Sequence, residues 1–173
     1  MAIPPRRADP ANIAARLRTF FITSSIAGKR NLLQSDRSAG LFIEVLYHYR
    51  SEGKYLLNEF VVMPDHFHLV LTLGREITIE RAVQFMKGGF AFRAGKELGF
   101  RAPVWQRGFS EARIYDSQHL ERVREYMAQN PVRMGLVSNA AGYPYSSSRI
   151  GFELDAVPQG LKPSVRIAFS RHA

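Results

Sequence analysis

Apolar residues recur along this chain with two periods, and the alternation between them lays out the elements. "RLRTFFITSSI" (16–26) is β-branched and aromatic enough to predict a first strand. In "SAGLFIEVLYHYRS" (38–51), Leu41, Phe42, Val45, Leu46 and Tyr49 repeat at i, i+1, i+4, i+5, i+8, a helical stripe that Gly53 closes. "YLLNEFVV" (55–62) and "HFHLVLTL" (66–73) predict two strands joined by a tight "MPD" connection, because Pro64 cannot sit in a central ladder.

A second helical stripe runs through Ile79, Ala82, Val83, Met86, Phe90, Ala94 and Leu98, with Thr78 as its N-cap. Within it, Gly88 and Gly89 each cost on the order of 1 kcal/mol relative to alanine, which predicts a bend or a close approach there. "VWQRGFSEARI" (104–114) predicts a fourth strand with a turn or bulge at Gly108. Asp116 caps a third helix, "SQHLERVREYMAQN", expected to end at Asn130 because Pro131 restricts the residue before it. The order β α β β α β α predicts an α+β, ferredoxin-like fold: one antiparallel β-sheet packed with α-helices. Such a fold hosts many functions and selects none.

These elements fall between about residues 18 and 150, so a single domain of that span is expected. A proline- and arginine-rich arm (1–17) precedes it, and a basic, proline-punctuated tail (151–173) follows. The chain holds no cysteine, which excludes disulfides, thiolate metal sites and a cysteine nucleophile and fits a reducing compartment. No apolar run reaches the roughly 18 residues of a membrane span, so no membrane partner is expected. Lysine and arginine number 24 against 15 acids, a net +9 spread along the whole chain, and such an excess attracts polyanions.

The chemistry-bearing residues stand in two places. Strand alternation puts His66, His68, Val70 and Thr72 on one face of 66–73 and Phe67, Leu69, Leu71 and Leu73 on the other. Two imidazoles at i and i+2 can converge on one cation, since neutral histidine is a common metal ligand. By themselves they read more readily as two partly exposed histidines on a strand, and as a site they lack a third ligand. The third helix can supply one. Its core stripe is Leu120, Val123 and Met127, while Tyr126 and Asn130, four apart, share one flank, with His119 above them and Arg122 just beyond.

Taken together and in order, "VVMPDHFHLVL", "VWQRGF", "REYMAQNPVRMGLV" and "YPYSSSRIG" resemble the single-tyrosine HUH transposases, in particular the REP-associated tyrosine transposase branch. The resemblance covers about residues 18–150 and rests on two paired motifs, "MPDHFH" and "Y-x-x-x-NPVR-x-GLV". It implies a metal-dependent endonuclease and strand transferase for single-stranded or hairpin DNA that works through a covalent 5′-phosphotyrosine. By motif match, Tyr126 would be the nucleophile, and His66, His68 and Asn130 the protein ligands of Mg²⁺ or Mn²⁺. Some relatives carry glutamine at the third ligand position, so Gln129 stays beside Asn130 as a neighbouring amide. A phenol with a reference pKa near 10 must lose its proton to attack, and His119 is one acceptor within the helix. Many relatives have a further polar residue where this chain has Ala112, leaving Glu111 as the polar group nearby.

For the DNA, Lys87, Arg93, Arg107, Arg122, Arg124 and Arg133 are candidate phosphate contacts. Phe67, Trp105, Phe109, Tyr143 and Tyr145 are candidate stacking surfaces. The branch implies a monomer rather than a pair exchanging tyrosines, and a bacterial cytoplasmic, nucleoid-associated setting. The competing reading is a non-catalytic single-stranded nucleic-acid-binding domain, which would leave the histidine pair and Tyr126 unexplained. A structural zinc site lacks its four closed ligands in a chain without cysteine.

Overall fold

Strand β1 (Arg18–Ser25) runs through the middle of a four-stranded antiparallel sheet, paired on one side with β3 (His66–Leu73) and on the other with β4 (Ser110–Ile114). With β2 (Leu56–Val62) on the outer side of β3, the sheet order is β2-β3-β1-β4, the ferredoxin-like arrangement expected from the element order. The computed structural model describes residues 17–158. All of the expected arm but Leu17, and most of the expected tail, lie outside those residues.

The sheet divides two apolar layers. Phe67, Leu69, Leu71 and Leu73 of β3 point toward helices α1 (Asp36–Ser51) and α2 (Ile79–Leu98), where they meet Phe42, Leu46, Met86 and Phe90. Each such phenylalanine or leucine contributes about 1.5–3 kcal/mol by leaving water. On the other face, Val61, Val70 and Ile114 meet Leu120, Val123 and Met127 of helix α3 (Ser117–Arg133). His68 and Thr72 belong to this second face, so α3 is the helix that looks onto the histidines.

The caps follow the sequence: Thr78 accepts from Arg81 N–H and Asp116 from His119 N–H. Helix α2 passes through Gly88 and Gly89 unbroken; a Cβ at Gly89 would stand 2.7 Å from Tyr49 Oη, so the glycine admits a close approach by α1.

Two expectations are corrected. The fourth strand does not begin at residue 104: only Ser110–Ile114 forms β4, while Trp105 makes an isolated bridge to Ile26. Between them Gly108 adopts φ +75°, a left-handed turn, and its carbonyl accepts from Lys87 Nζ at 2.8 Å rather than joining a ladder. Nor does the third helix stop at Asn130, since it continues through Pro131 to Arg133. The helix then closes in a Schellman motif that satisfies its last carbonyls: Gly135, at φ +72°, donates to Val132 O and Leu136 to Pro131 O.

The outer edge of β2 is covered by the chain that follows α3. Val62 N–H donates to Tyr145 O, Ser147 N–H to Phe60 O, and Asp155 N–H to Leu57 O. Chain beyond residue 150 therefore packs on the sheet as far as Asp155, where the carboxylate takes two hydrogen bonds from Arg50 at 2.8 and 2.9 Å.

Candidate metal and nucleophile site

The hairpin between β2 and β3 brings His66 into the sheet with little freedom. Met63 N–H closes the turn on His66 O at 2.8 Å, and outside donors fix the loop: Ile26 N–H to Asp65 O and Leu33 N–H to Pro64 O. The imidazole of His66 is held through Nδ1, 2.6 Å from Asp65 Oδ1. His68 lies opposite Thr23 in the β1–β3 register, and its Nδ1 is 2.6 Å from Thr23 Oγ1. The two rings stand 4.8 Å apart between centroids.

His68 is 4% exposed, and its Nε2 is buried without a hydrogen-bond partner among the described residues. Burial first, and then the positive neighbours His66, Arg133 and Lys29, push its pKa down to about 3. The ring is therefore neutral at ordinary pH, with Nδ1 engaged and Nε2 unused. This is the form in which imidazole binds a metal ion.

Helix α3 brings the phenol to the same place. Leu120, Val123 and Met127 seat the helix on the sheet, and that packing turns Tyr126 toward the histidines. Its ring stands edge-on to His68, centroids 5.3 Å apart, and edge-on to Phe21 at 6.1 Å, while Phe21 stacks on His68 at 5.5 Å. Tyr126 nonetheless keeps 42% of its surface exposed, so the residue is open to a large substrate. Arg133 lies across the phenol, with Cζ 4.5 Å from the ring centroid.

Asn130, one helical turn beyond Tyr126, is buried at 5% exposure, whereas Gln129 beside it is half-buried. His119 sits seven residues before Tyr126, about 10 Å of helix rise away, at the capped end of α3. Among the described residues no three or more of histidine, cysteine, aspartate and glutamate cluster as a metal site. A cation here would draw on two imidazoles and an amide. The buried, unpartnered His68 Nε2 fits that use, because a lone pair withheld from both water and protein is costly unless something takes it.

The basic candidates separate. Arg122, Arg124 and Arg133 lie on α3, on the histidine face. Arg124 is committed to Glu59 and Glu121, while Arg122 is exposed and makes no ion pair with the described residues. Arg107 is exposed on the loop before β4. Lys87 and Arg93 belong to α2, on the opposite face. Lys87 donates to Gln106 O and Gly108 O, and Arg93 pairs with Glu44 and Glu97.

Two of the stacking candidates are interior. Phe67 is fully buried against Phe42 and Trp105, and Tyr143 is buried with its hydroxyl donating to Val62 O. Glu111 lies on the face away from the histidines, and the polar residue of β4 on their face is Ser110, in register with Thr23. Sequence reasoning missed Thr23, Asp65 and the placement of Arg133 over the phenol. The first required the strand register. The second was adjacent to His66 in plain view.

Comparisons with known proteins agree on one family. The profile of the family described as Transposase IS200 like matches residues 22–130. A Haemophilus influenzae protein provisionally described as a REP-associated tyrosine transposase is 23% identical over 155 residues, 79% of this chain and 88% of that one. The Escherichia coli K12 REP-associated tyrosine transposase is 24% identical over 146 residues, 84% and 82% of the two chains. Among solved structures, a REP-associated tyrosine transposase bound to a REP hairpin superposes with a TM-score of 0.66 at 18% identity, over 86% of this chain and 93% of that one, a likeness of fold.

Proposed function

Since the chain belongs to the IS200-like transposase family, we propose that it cleaves and rejoins single-stranded DNA at hairpin or palindromic repeats, with Tyr126 as nucleophile. The observation that carries this reading is the phenol of Tyr126 standing 5.3 Å from a histidine whose Nε2 is buried and unused. The hairpin substrate is taken from the solved relative, which holds a REP hairpin.

His66, His68 and Asn130 would hold a divalent cation, Mg²⁺ or Mn²⁺, which when bound polarises a non-bridging oxygen of the scissile phosphate. Tyr126 Oη attacks phosphorus, a new P–O bond forms to the tyrosine, and the bond to the 3′ oxygen breaks. The phenol gives up its proton to water, water returns a proton to the departing 3′ oxygen, and that strand end leaves as a hydroxyl. The 5′-phosphotyrosine conserves the phosphodiester bond, so a different 3′ hydroxyl can take the strand without ATP. Arg133, over the phenol, steadies the ring and offers its guanidinium to the incoming phosphate. Arg107 and Arg122 supply further phosphate contacts, and the basic arm 1–17 adds to them. The histidines and the tyrosine stand together within one chain, which supports a site that works in a monomer. Chromosomal DNA as substrate puts the protein in the bacterial cytoplasm.

The test is a labelled hairpin oligonucleotide drawn from palindromic repeats of the host genome, incubated with Mg²⁺ or Mn²⁺ and resolved under denaturing conditions. The wild type forms a protein–DNA adduct, Tyr126→Phe forms none, and Tyr115→Phe forms it normally. Hairpin binding without an adduct on any such substrate would instead favour a non-catalytic nucleic-acid-binding domain.

A further inference from the structure

Two side chains outside the expected site touch the histidines at the one atom that decides how an imidazole binds metal. His66 Nδ1 is 2.6 Å from Asp65 Oδ1, and His68 Nδ1 is 2.6 Å from Thr23 Oγ1. We propose that Asp65 and Thr23 are positioning residues: each holds one histidine by Nδ1, fixing both rings with Nε2 as the lone-pair donor for a divalent cation. This rests on the metal reading given above and assigns the residues that preset it.

A carboxylate can only accept, so the short contact at Asp65 places the proton of His66 on Nδ1 and the lone pair on Nε2. At His68 the hydroxyl of Thr23 could donate or accept, and the second nitrogen settles the matter. A proton on Nε2 would be a buried donor without an acceptor among the described residues, whereas a lone pair there is what a cation uses. The two hydrogen bonds thus produce the same tautomer in both rings by different partners, one charged and one neutral. Outer partners of this kind orient metal-binding histidines generally.

Both supports are themselves held. Asp65 sits in a two-residue turn whose carbonyls, Pro64 O and Asp65 O, receive Leu33 N–H at 2.9 Å and Ile26 N–H at 2.8 Å. Thr23 is on the central strand, flanked by His68 on β3 and Ser110 on β4, and its branched Cβ restricts χ1. The backbone that carries each support is thus fixed, which keeps a first set of ligands pre-organised.

The full chain is titrated with Mn²⁺ alone, without DNA, following the bound ion by calorimetry or electron paramagnetic resonance. Thr23→Val, which keeps the shape and removes the hydroxyl, and Asp65→Asn each weaken Mn²⁺ binding by about 10- to 100-fold, while Thr23→Ser stays near wild type. Metal-free hairpin affinity and the melting temperature change little. Should Thr23→Val lower the melting temperature, the comparison of Thr23→Ser with Thr23→Ala decides between hydroxyl and packing.

A second readout needs no metal: two-bond ¹⁵N–¹H spectra of the imidazoles show the Nδ1–H tautomer for His66 and His68 in the wild type, and Thr23→Val shifts His68 toward Nε2–H. Wild-type Mn²⁺ affinity in both Thr23→Val and Asp65→Asn, or an unmoved His68 tautomer in Thr23→Val, overturns the proposal. Failure of the metal reading looks different: wild type does not bind Mn²⁺, or His66→Ala and His68→Ala bind it as well as wild type does.

Discussion

Tyr126 stands edge-on to His68, ring centroids 5.3 Å apart, one carried by helix α3 and the other by a strand in the middle of the sheet. Both belong to the same chain, and on the proposed reading the tyrosine and the histidine pair of one chain act together in cis. Mixing Tyr126→Phe protein with His68→Ala protein therefore restores no adduct on hairpin DNA. Complementation in the mixture would show that two chains exchange tyrosines.

Arg133 lies over that phenol, its Cζ 4.5 Å from the ring centroid. A cation in this position contributes about 0.5–2 kcal/mol, so Arg133→Gln slows single-turnover adduct formation by roughly 2- to 30-fold. Arg133→Lys, which keeps the charge but not the planar guanidinium, falls between the two. Measuring hairpin affinity separately distinguishes a slower step from weaker binding.

The glycine pair of α2 separates by its surroundings. Nothing lies within 4 Å of a Cβ at Gly88, whereas one at Gly89 would meet Tyr49 Oη at 2.7 Å. Gly88→Ala should gain up to about 1 kcal/mol from helix propensity. Gly89→Ala should be less stable than Gly88→Ala by about 1–3 kcal/mol through overpacking, and denaturant unfolding of the two variants checks the order.

Asp155 anchors the chain over the edge of β2, accepting from Arg50 and from Leu57 N–H. The hydrogen bond from Arg50 holds its carboxyl below the usual carboxylate range, opposed in part by burial and aided by Leu57 N–H. A carboxyl lowered in the folded state stabilises fully above its unfolded value, near 3.9, and loses that contribution as pH falls through the folded value. Wild type should therefore exceed Asp155→Asn in melting temperature at neutral pH, with the gap closing below about pH 4. A gap that stays constant down to pH 3 would contradict the role given to this ion pair.

The periodic part of the fold was legible. Alternation placed His66 and His68 together, and the 3.6-residue repeat placed Tyr126 and Asn130 on one flank of α3. What could not be read was anything set by register or by distant closure. Thr23 becomes a partner of His68 only once β1 and β3 pair, and Asp155 meets Arg50 only after the chain has returned across β2. Pro131 disfavours helix in the residue before it, yet the helix runs on to Arg133 before Gly135 and Leu136 close it. Charge alone cannot tell one face from the other, and the helix that carries Lys87 and Arg93 packs on the face away from the histidines.

The claim on which the rest depends is that Tyr126 becomes joined to DNA. After cleavage of a hairpin substrate in Mn²⁺, tryptic digestion releases the segment EYMAQNPVR (125–133), in which Tyr126 is the sole tyrosine, and mass spectrometry locates the modified residue. A 5′-phosphonucleotide on Tyr126 is the expected result. The same modification on Tyr115 or another residue, or cleaved strands with no protein-linked nucleotide at any time point, would contradict it.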